Sequence, residues 1–121
     1  MGRDGPGGYG EDGEAPSHEV TLDPFAIART CVTNAQFAAF VEATRYLTVA
    51  EHLGASFVFA GALPDDFPPT RAVAAAPWWR EVQGASWRHL KGEGSTIDSR
   101  MDHPFVHVTW HDAMAFCAWS G

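Results

Sequence analysis

Residues 33–44, TNAQFAAFVEAT, decide the local fold because they combine a helix start with an apolar helical face. Thr33 and Gln36 have the spacing of a capping box, in which each side chain binds the backbone N–H of the other residue. Three apolar residues then follow at the i, i+3, i+4 spacing of one helix face: Phe37, Phe40 and Val41. The stretch therefore predicts a helix from about Asn34 to Thr44.

Two further helices are predicted outside this stretch. Thr109 and Asp112 repeat the capping signature before the apolar residues 114–119, and Gly121 stands where it could cap the end. We expect this helix to belong to a longer protein, because three of its large side chains lack partners: Trp110, Phe116 and Trp119. A shorter helix is predicted around residues 50–52, with Gly54 as its cap.

Three segments have the composition or the alternation of β-strands. They are HEVTLDPFAIA at 18–28, interrupted at Asp23-Pro24, FVF at 57–59, and VHV at 106–108. Residues 1–17 are dominated by glycine, proline and acidic side chains, which predicts a loop. Residues 61–94 hold four prolines and three tryptophans without sustained periodicity, so we expect an ordered, irregular loop there.

Composition limits the classes of function. A chain of 121 residues with 45% hydrophobic residues is long enough for one domain, or part of one, and the pattern of elements indicates an α+β domain. The net charge of −7 opposes binding to phosphate backbones and anionic lipid, so we expect no nucleic-acid or membrane partner. No apolar run reaches the ~20 residues of a membrane span, and no signal peptide is visible, which predicts a cytoplasmic protein of a prokaryote.

Several side chains suggest chemistry but have simpler interpretations. His103, His107 and His111 are spaced four apart, as in zinc-binding helices, but Pro104 disfavours a helix here, and ordinary hydrogen-bonding histidines are the preferred interpretation. Four acids lie among glycine, proline and serine, where solvated turns are expected rather than a carboxylate pair or a cation site: Asp65, Asp66, Asp98 and Asp102.

The cysteines and tryptophans leave alternatives open. Cys31 and Cys117 could bond each other, stay reduced or have partners outside this chain. Cys117, within an apolar helical pattern, is expected in the core or in a disulfide, and Cys31 is the better candidate for a reactive thiol. Trp78 and Trp79 are either core residues or the wall of a peptide groove.

Six stretches together resemble the formylglycine-generating (sulfatase-modifying factor) enzyme family. They are DGEAP at 12–16, HEVTLDPF at 18–25, CVTNAQFAAFV at 31–41, TRYLTVAEHLGASFVF at 44–59, AVAAAPWWREVQGASWRHLKGEGS at 72–95 and DHPFVHVTWHDAMAFCAWSG at 102–121. The VTN and HPVxxVxW types of pattern are shared by the wider superfamily. APWW with GASWRH is narrower and indicates the formylglycine-generating branch. Residues 1–121 are accordingly identified as the amino-terminal portion of one such domain.

The resemblance implies an irregular α+β fold related to C-type lectins, incomplete in this chain. It also implies an oxygen-dependent oxidase that converts a cysteine, in a Cys-x-Pro-x-Arg segment of an unfolded sulfatase polypeptide, to Cα-formylglycine. Copper(I) held by two cysteines and structural calcium are implied for the full-length protein, with ligands outside this segment; thiolate is the soft ligand that copper(I) prefers. By the same resemblance, no catalytic or metal-binding residue lies in the segment, which alone is expected to be inactive.

The resemblance also assigns residues in this sequence. Ala50, Ser56 and Trp78 match positions that line the family's channel for the substrate peptide, and Ala55 stands where a relative carries Asp. Cys117 matches a cysteine that forms a structural disulfide in exported relatives, and its partner would lie outside this chain. Two alternatives stay open: a non-catalytic paralogue or binding module of the same fold, and an iron-dependent sulfoxide synthase of the ergothioneine type.

Overall fold

Three α-helices, one three-stranded antiparallel sheet and short 3-10 helices, among them Ala60–Ala62 and Asp98–Arg100, make up the regular structure of the part of the chain that the computed structural model describes, residues 1–9 and 11–121. The helices are α1 (Asn34–Thr44), α2 (Val49–Leu53) and α3 (Trp110–Ser120). The strands are β1 (Ala55–Phe59), β2 (Arg71–Val73) and β3 (Ala76–Gln83). This mixture is compatible with the predicted α+β class. None of these helices combines the length and the apolar character needed to cross a membrane.

Helix α1 has the predicted bounds and the predicted cap. The backbone N–H of Gln36 donates to Thr33 Oγ1 over 3.3 Å, and the backbone N–H of Thr33 donates to Gln36 Oε1 over 2.9 Å. The helix ends at Arg45, whose left-handed backbone (φ 59°) lets its N–H donate to the Val41 carbonyl. The capping box therefore begins the helix where the sequence predicts.

The aromatic face of α1 forms the centre of the main core. Phe37 and Trp87 are both 0% exposed, and their ring centroids lie 5.1 Å apart in an edge-to-face arrangement. Phe37 also stacks on Phe105 with a centroid distance of 4.2 Å, and Phe116 brings α3 into the same cluster. Such ring pairs contribute about 0.5–1.5 kcal/mol beyond the burial of their surface. The core thus joins α1, α3 and the segment that carries Trp87.

Two strands of the sheet, β2 and β3, lie in a region where the sequence predicts only an irregular loop. β3 is the central strand, pairing with β1 through Phe59↔Trp79 at one end of their register and with β2 through Arg71↔Glu81. Pro77 is compatible with β3 because it lies beyond the last β1 pair and next to the register shift between Ala72 and Val73. The prediction of an ordered segment is correct, but the absence of strands from 61–94 is wrong.

Two other strand predictions are wrong. Residues 18–28 form no strand among the described residues, and their apolar side chains are exposed: Val20, Leu22, Phe25 and Ile27. A period of two specifies a strand only where a neighbouring strand accepts the backbone hydrogen bonds. Residues 106–108 also form no strand, because His107 has a left-handed backbone (φ 61°).

Three further local predictions are confirmed, whereas the expectation that Phe116 and Trp119 lack partners is wrong, because both rings pack against Phe40. α2 covers residues 50–52 and ends at Gly54, whose positive φ of 69° suits glycine. β1 contains the predicted FVF segment, and α3 begins with the predicted capping box between Thr109 and Asp112. Gly121 closes α3 through its N–H, which donates to the Cys117 carbonyl.

Candidate functional site

An open cavity of about 980 Å³ lies where α2, β1 and residues 106–109 meet. Most of its wall is apolar, and its lining includes Ala50, Ser56, Phe59, Trp79, Leu90 and Val106. A large, mainly apolar cavity with a few polar groups is the usual form of a ligand site. This cavity is therefore the candidate functional site.

The capped start of α2 and the turn after it bring Ala50 and Ser56 into the same wall. Thr48 and Glu51 form a second capping box, with the backbone N–H of Thr48 donating to Glu51 Oε2 over 2.9 Å. Gly54 then reverses the chain into β1, so that both residues line the cavity. The capping box of α2 and the turn at Gly54 thus position the wall that contains Ala50 and Ser56.

His107 connects three parts of the chain at the cavity. Its Nδ1 lies 2.9 Å from Ser56 Oγ, and its Nε2 lies 3.0 Å from the carbonyl oxygen of Leu90. Burial lowers the pKa of His107 below its usual value, and the hydrogen bond to the Leu90 carbonyl opposes this effect only in part. The neutral form of the ring is therefore favoured at pH 7.

The charged side chains that line the cavity are both cationic. They belong to Lys91 and Arg100, and no aspartate or glutamate is among the lining residues. Neither cation takes part in the ion pairs found among the described residues. The cavity is thus positive within a chain of net charge −7.

The Asp112 side chain holds together two segments that form one wall of the cavity. Its side chain is fully buried and accepts hydrogen bonds from the backbone N–H groups of Val49 and Thr109, the Thr109 hydroxyl and the Tyr46 hydroxyl. Burial alone would raise the pKa of Asp112, but these hydrogen bonds outweigh it and the pKa is lowered. Because Val49 and Thr109 also line the cavity, the carboxylate holds α2 and α3 together beside it.

The structure brings together two of the three predicted channel residues. Ala50 and Ser56 line the cavity, whereas Trp78 is exposed and not among its lining residues. Its neighbour Trp79 does line the cavity, with its ring 6.1 Å from that of Phe59. Adjacent strand residues point to opposite faces, which separates the two indoles. A channel role for Trp78 stays a prediction.

Sequence reasoning missed the position of His107. It treated this residue as an ordinary hydrogen-bonding histidine in a strand, and only the hydrogen bonding is found. The residues that His107 contacts are 17 and 51 positions away in sequence, and no local pattern signals such contacts. His103 is exposed on a turn, and His111 is exposed in the first turn of α3.

The cysteines and acids form no metal site among the described residues. No group of three or more histidine, cysteine, aspartate or glutamate side chains within residues 1–9 and 11–121 could hold an ion. Cys31 and Cys117 are both free and exposed, so the expectation of a core position for Cys117 is wrong, while its disulfide stays a prediction. The four acids expected on solvated turns are exposed there: Asp65, Asp66, Asp98 and Asp102.

These features define a small α+β domain with an open, largely apolar cavity beside a buried carboxylate anchor. The sulfatase-modifying factor enzyme 1-like domain model matches residues 1–121, and the chain belongs to this family. Formylglycine-generating enzymes from Bos taurus and Thermomonospora curvata are 50% and 49% identical over 123 and 122 residues, which cover 100% of this chain and 33% and 40% of theirs. An inactive C-alpha-formylglycine-generating enzyme 2 from Bos taurus is 45% identical over 123 residues, covering 100% of this chain and 40% of its own. The chain thus spans between a third and two fifths of the length of these relatives.

Proposed function

We propose that the intact protein is a formylglycine-generating oxidase and that this chain supplies one side of its peptide-binding groove. The observation that carries the proposal is the cavity of about 980 Å³ with Ala50 and Ser56 in one wall, at positions that the family resemblance assigns to the substrate channel. The similarity to formylglycine-generating enzymes, spread over the whole chain, supports the same activity.

The cavity suits an extended polypeptide. Its open form admits a chain, and half-exposed rings such as those of Phe59 and Trp79 offer flat apolar contact at low entropic cost. Ser56 offers a polar partner to the peptide backbone. We propose an unfolded sulfatase segment with a Cys-x-Pro-x-Arg motif as the ligand, since a folded protein would not enter such a cavity.

The chemical step belongs to residues outside this chain. In the proposed reaction the thiol-bearing carbon of the substrate cysteine loses two electrons and becomes an aldehyde, and its sulfur leaves as hydrogen sulfide. Oxygen accepts these electrons, and its full reduction to water takes two more from an external thiol reductant. The described residues do not fit the copper site that the family implies, because they bring no set of thiolates together. Copper(I) and structural calcium are therefore proposed for the intact protein, and the role of this chain is to bind and orient the peptide. We also propose that the intact domain has the lectin-related fold.

A second candidate function is peptide binding without catalysis. The 45% identity to an inactive formylglycine-generating enzyme 2 favours it, because that relative matches the whole chain. Both functions use the same cavity and predict the same peptide binding by this chain. They differ in whether the intact protein oxidises the bound cysteine.

Binding is tested with an acetylated, fluorescein-labelled peptide that carries a Cys-x-Pro-x-Arg segment, using fluorescence anisotropy. We expect saturable binding that Ser56→Trp, which places an indole ring in the cavity, weakens at least about tenfold, a change of ~1.4 kcal/mol. Ser120→Trp, at an exposed residue at the end of α3 and outside the cavity lining, is the matched control. Equal affinity of the two variants would contradict the groove assignment.

Oxidation is tested by mass spectrometry on a protein in which this chain is joined to a continuation that supplies two cysteines and is loaded with copper(I). Loss of the peptide thiol with formation of an aldehyde is expected. A folded, copper-loaded protein that binds the peptide but leaves its mass unchanged would support the non-catalytic candidate.

A further inference from the structure

The proton positions at His107 follow from its two partners. The Leu90 carbonyl oxygen only accepts hydrogen bonds, so Nε2 of His107 must carry the proton that it donates. In the neutral ring Nδ1 then has a lone pair, and its hydrogen-bond partner within the described part of the chain is the Ser56 hydroxyl. Ser56 therefore donates to Nδ1, and its oxygen lone pairs are left to face other groups.

The backbone of His107 has an unfavourable conformation, which indicates that contacts of the ring hold it in place. A φ of 61° is uncommon for any residue other than glycine, although asparagine, aspartate and histidine tolerate it better than most. Such conformations persist only where surrounding contacts hold them, and here the ring is held by β1 on one side and by the Leu90 segment on the other.

The charges around the ring favour the neutral form. Lys91 and Arg100 line the same cavity, so a protonated ring would add a third positive charge. Glu51 of α2 accepts hydrogen bonds from Thr48 at the start of its own helix. Several other titratable side chains of the neighbouring segments are exposed and are not among the lining residues: those of His52, Arg88, His89, Glu93, His103 and His111. The buried Asp112 carboxylate accepts its hydrogen bonds from Tyr46, Val49 and Thr109.

We infer that His107 is a positioning residue that holds the Ser56 hydroxyl so that its oxygen accepts a hydrogen bond from a backbone N–H of the bound peptide. Protonation of Nδ1 reverses this arrangement: the ring donates to Ser56 and the hydroxyl hydrogen turns towards the cavity. Peptide binding is then weaker in acid. The role in peptide binding rests on the proposed function, whereas the proton positions do not.

The proton positions are tested without any peptide, by ¹⁵N NMR of the imidazole nitrogens in the chain. We expect the Nε2–H tautomer, with the Nδ1 resonance shifted in Ser56→Ala and Nε2 nearly unchanged. An Nδ1–H tautomer, or an Nδ1 resonance that does not respond to Ser56→Ala, would overturn the inference.

The effect on binding is tested between pH 5 and pH 7.5 with the same peptide carrying a rhodamine label in place of fluorescein, so that neither the label nor the arginine changes charge and the thiol stays almost wholly protonated. We expect the affinity to fall about fivefold as His107 becomes protonated, the size of one neutral hydrogen bond. Ser56→Ala should bind weakly throughout. His107→Asn should remove the pH dependence, because asparagine tolerates the backbone and its amide oxygen accepts from Ser56 at every pH.

His111→Asn is the matched control, because His111 is exposed and lies outside the cavity, and it should keep the pH profile of the unmodified chain. A pH profile that His107→Asn leaves unchanged, or that His111→Asn removes, would overturn the inference. If no peptide binds at any pH, the proposed function fails, and the ring resonances alone decide whether His107 positions Ser56.

Discussion

Tyr46 donates a hydrogen bond of 3.0 Å from its hydroxyl to Oδ1 of Asp112, which lies 66 residues further along the chain. Asp112 also completes the capping box that Thr109 begins, so one carboxylate both stabilises the start of α3 and joins this helix to α2 through the backbone N–H of Val49. Burial, and then the hydrogen bond and charge of Asp112, raise the pKa of Tyr46. The hydrogen bond between Tyr46 and Asp112 therefore holds the start of α3 against the segment that leads into the cavity wall.

Asp112→Asn should lower the free energy of unfolding by about 2–3 kcal/mol, because an amide nitrogen would face donors that now share a carboxylate. Tyr46→Phe removes one of these donors and should cost about 1 kcal/mol. Urea unfolding followed by tryptophan fluorescence measures both. Asp98→Asn, at an exposed acid in a short 3-10 turn, is the control and should change stability little. Equal losses of stability in Asp112→Asn and Asp98→Asn would contradict the stabilising role of the buried Asp112 carboxylate.

Acid should remove the contribution of Asp112. Its folded-state pKa lies below the value of about 3.9 expected in the unfolded chain, so its stabilisation is present above pH 4 and is lost as pH falls through the folded-state pKa. The stability difference between the unmodified chain and Asp112→Asn should therefore shrink below pH 4. Urea unfolding at pH 7, 5, 4 and 3 gives this difference, and a constant value across the series would show that the pKa is not lowered.

The two exposed tryptophans of β3 should differ in peptide binding. Trp79 lines the cavity and Trp78 does not, so Trp79→Ala should weaken binding of the labelled peptide by about 1–3 kcal/mol and Trp78→Ala by clearly less. The two variants are well matched in residue type, strand and exposure. The opposite order would support the channel role that the family resemblance assigns to Trp78.

Local signals in the sequence predicted the helices of this fold, and contacts between distant residues set the rest. The capping boxes at Thr33 and Thr109 involve residues three apart, so the bounds of α1 and the start of α3 are visible in the sequence. β3 was missed because its pairing partners lie on other segments, and its proline suggests a loop. Likewise, Ala50 and Ser56 were assigned to the channel through the family resemblance. The contact between His107 and Ser56 spans 51 residues, and no local sequence pattern predicts it.

Alanine at Gly92 and alanine at Gly94 should strain the backbone equally, but only the one at Gly92 should clash with the sheet. Both have positive φ, of 84° and 86°, so alanine at either position carries the cost of a left-handed backbone, about 1–2 kcal/mol. A Cβ at Gly92 would lie 2.6 Å from the Gln83 carbonyl oxygen at the end of β3, whereas at Gly94 it would meet nothing within 4 Å. Gly92→Ala should therefore destabilise the chain by more than Gly94→Ala, as measured by urea unfolding. Because backbone atoms cannot move aside as a flexible side chain can, equal losses would mean that residues 92–94 do not pack against β3 in this way.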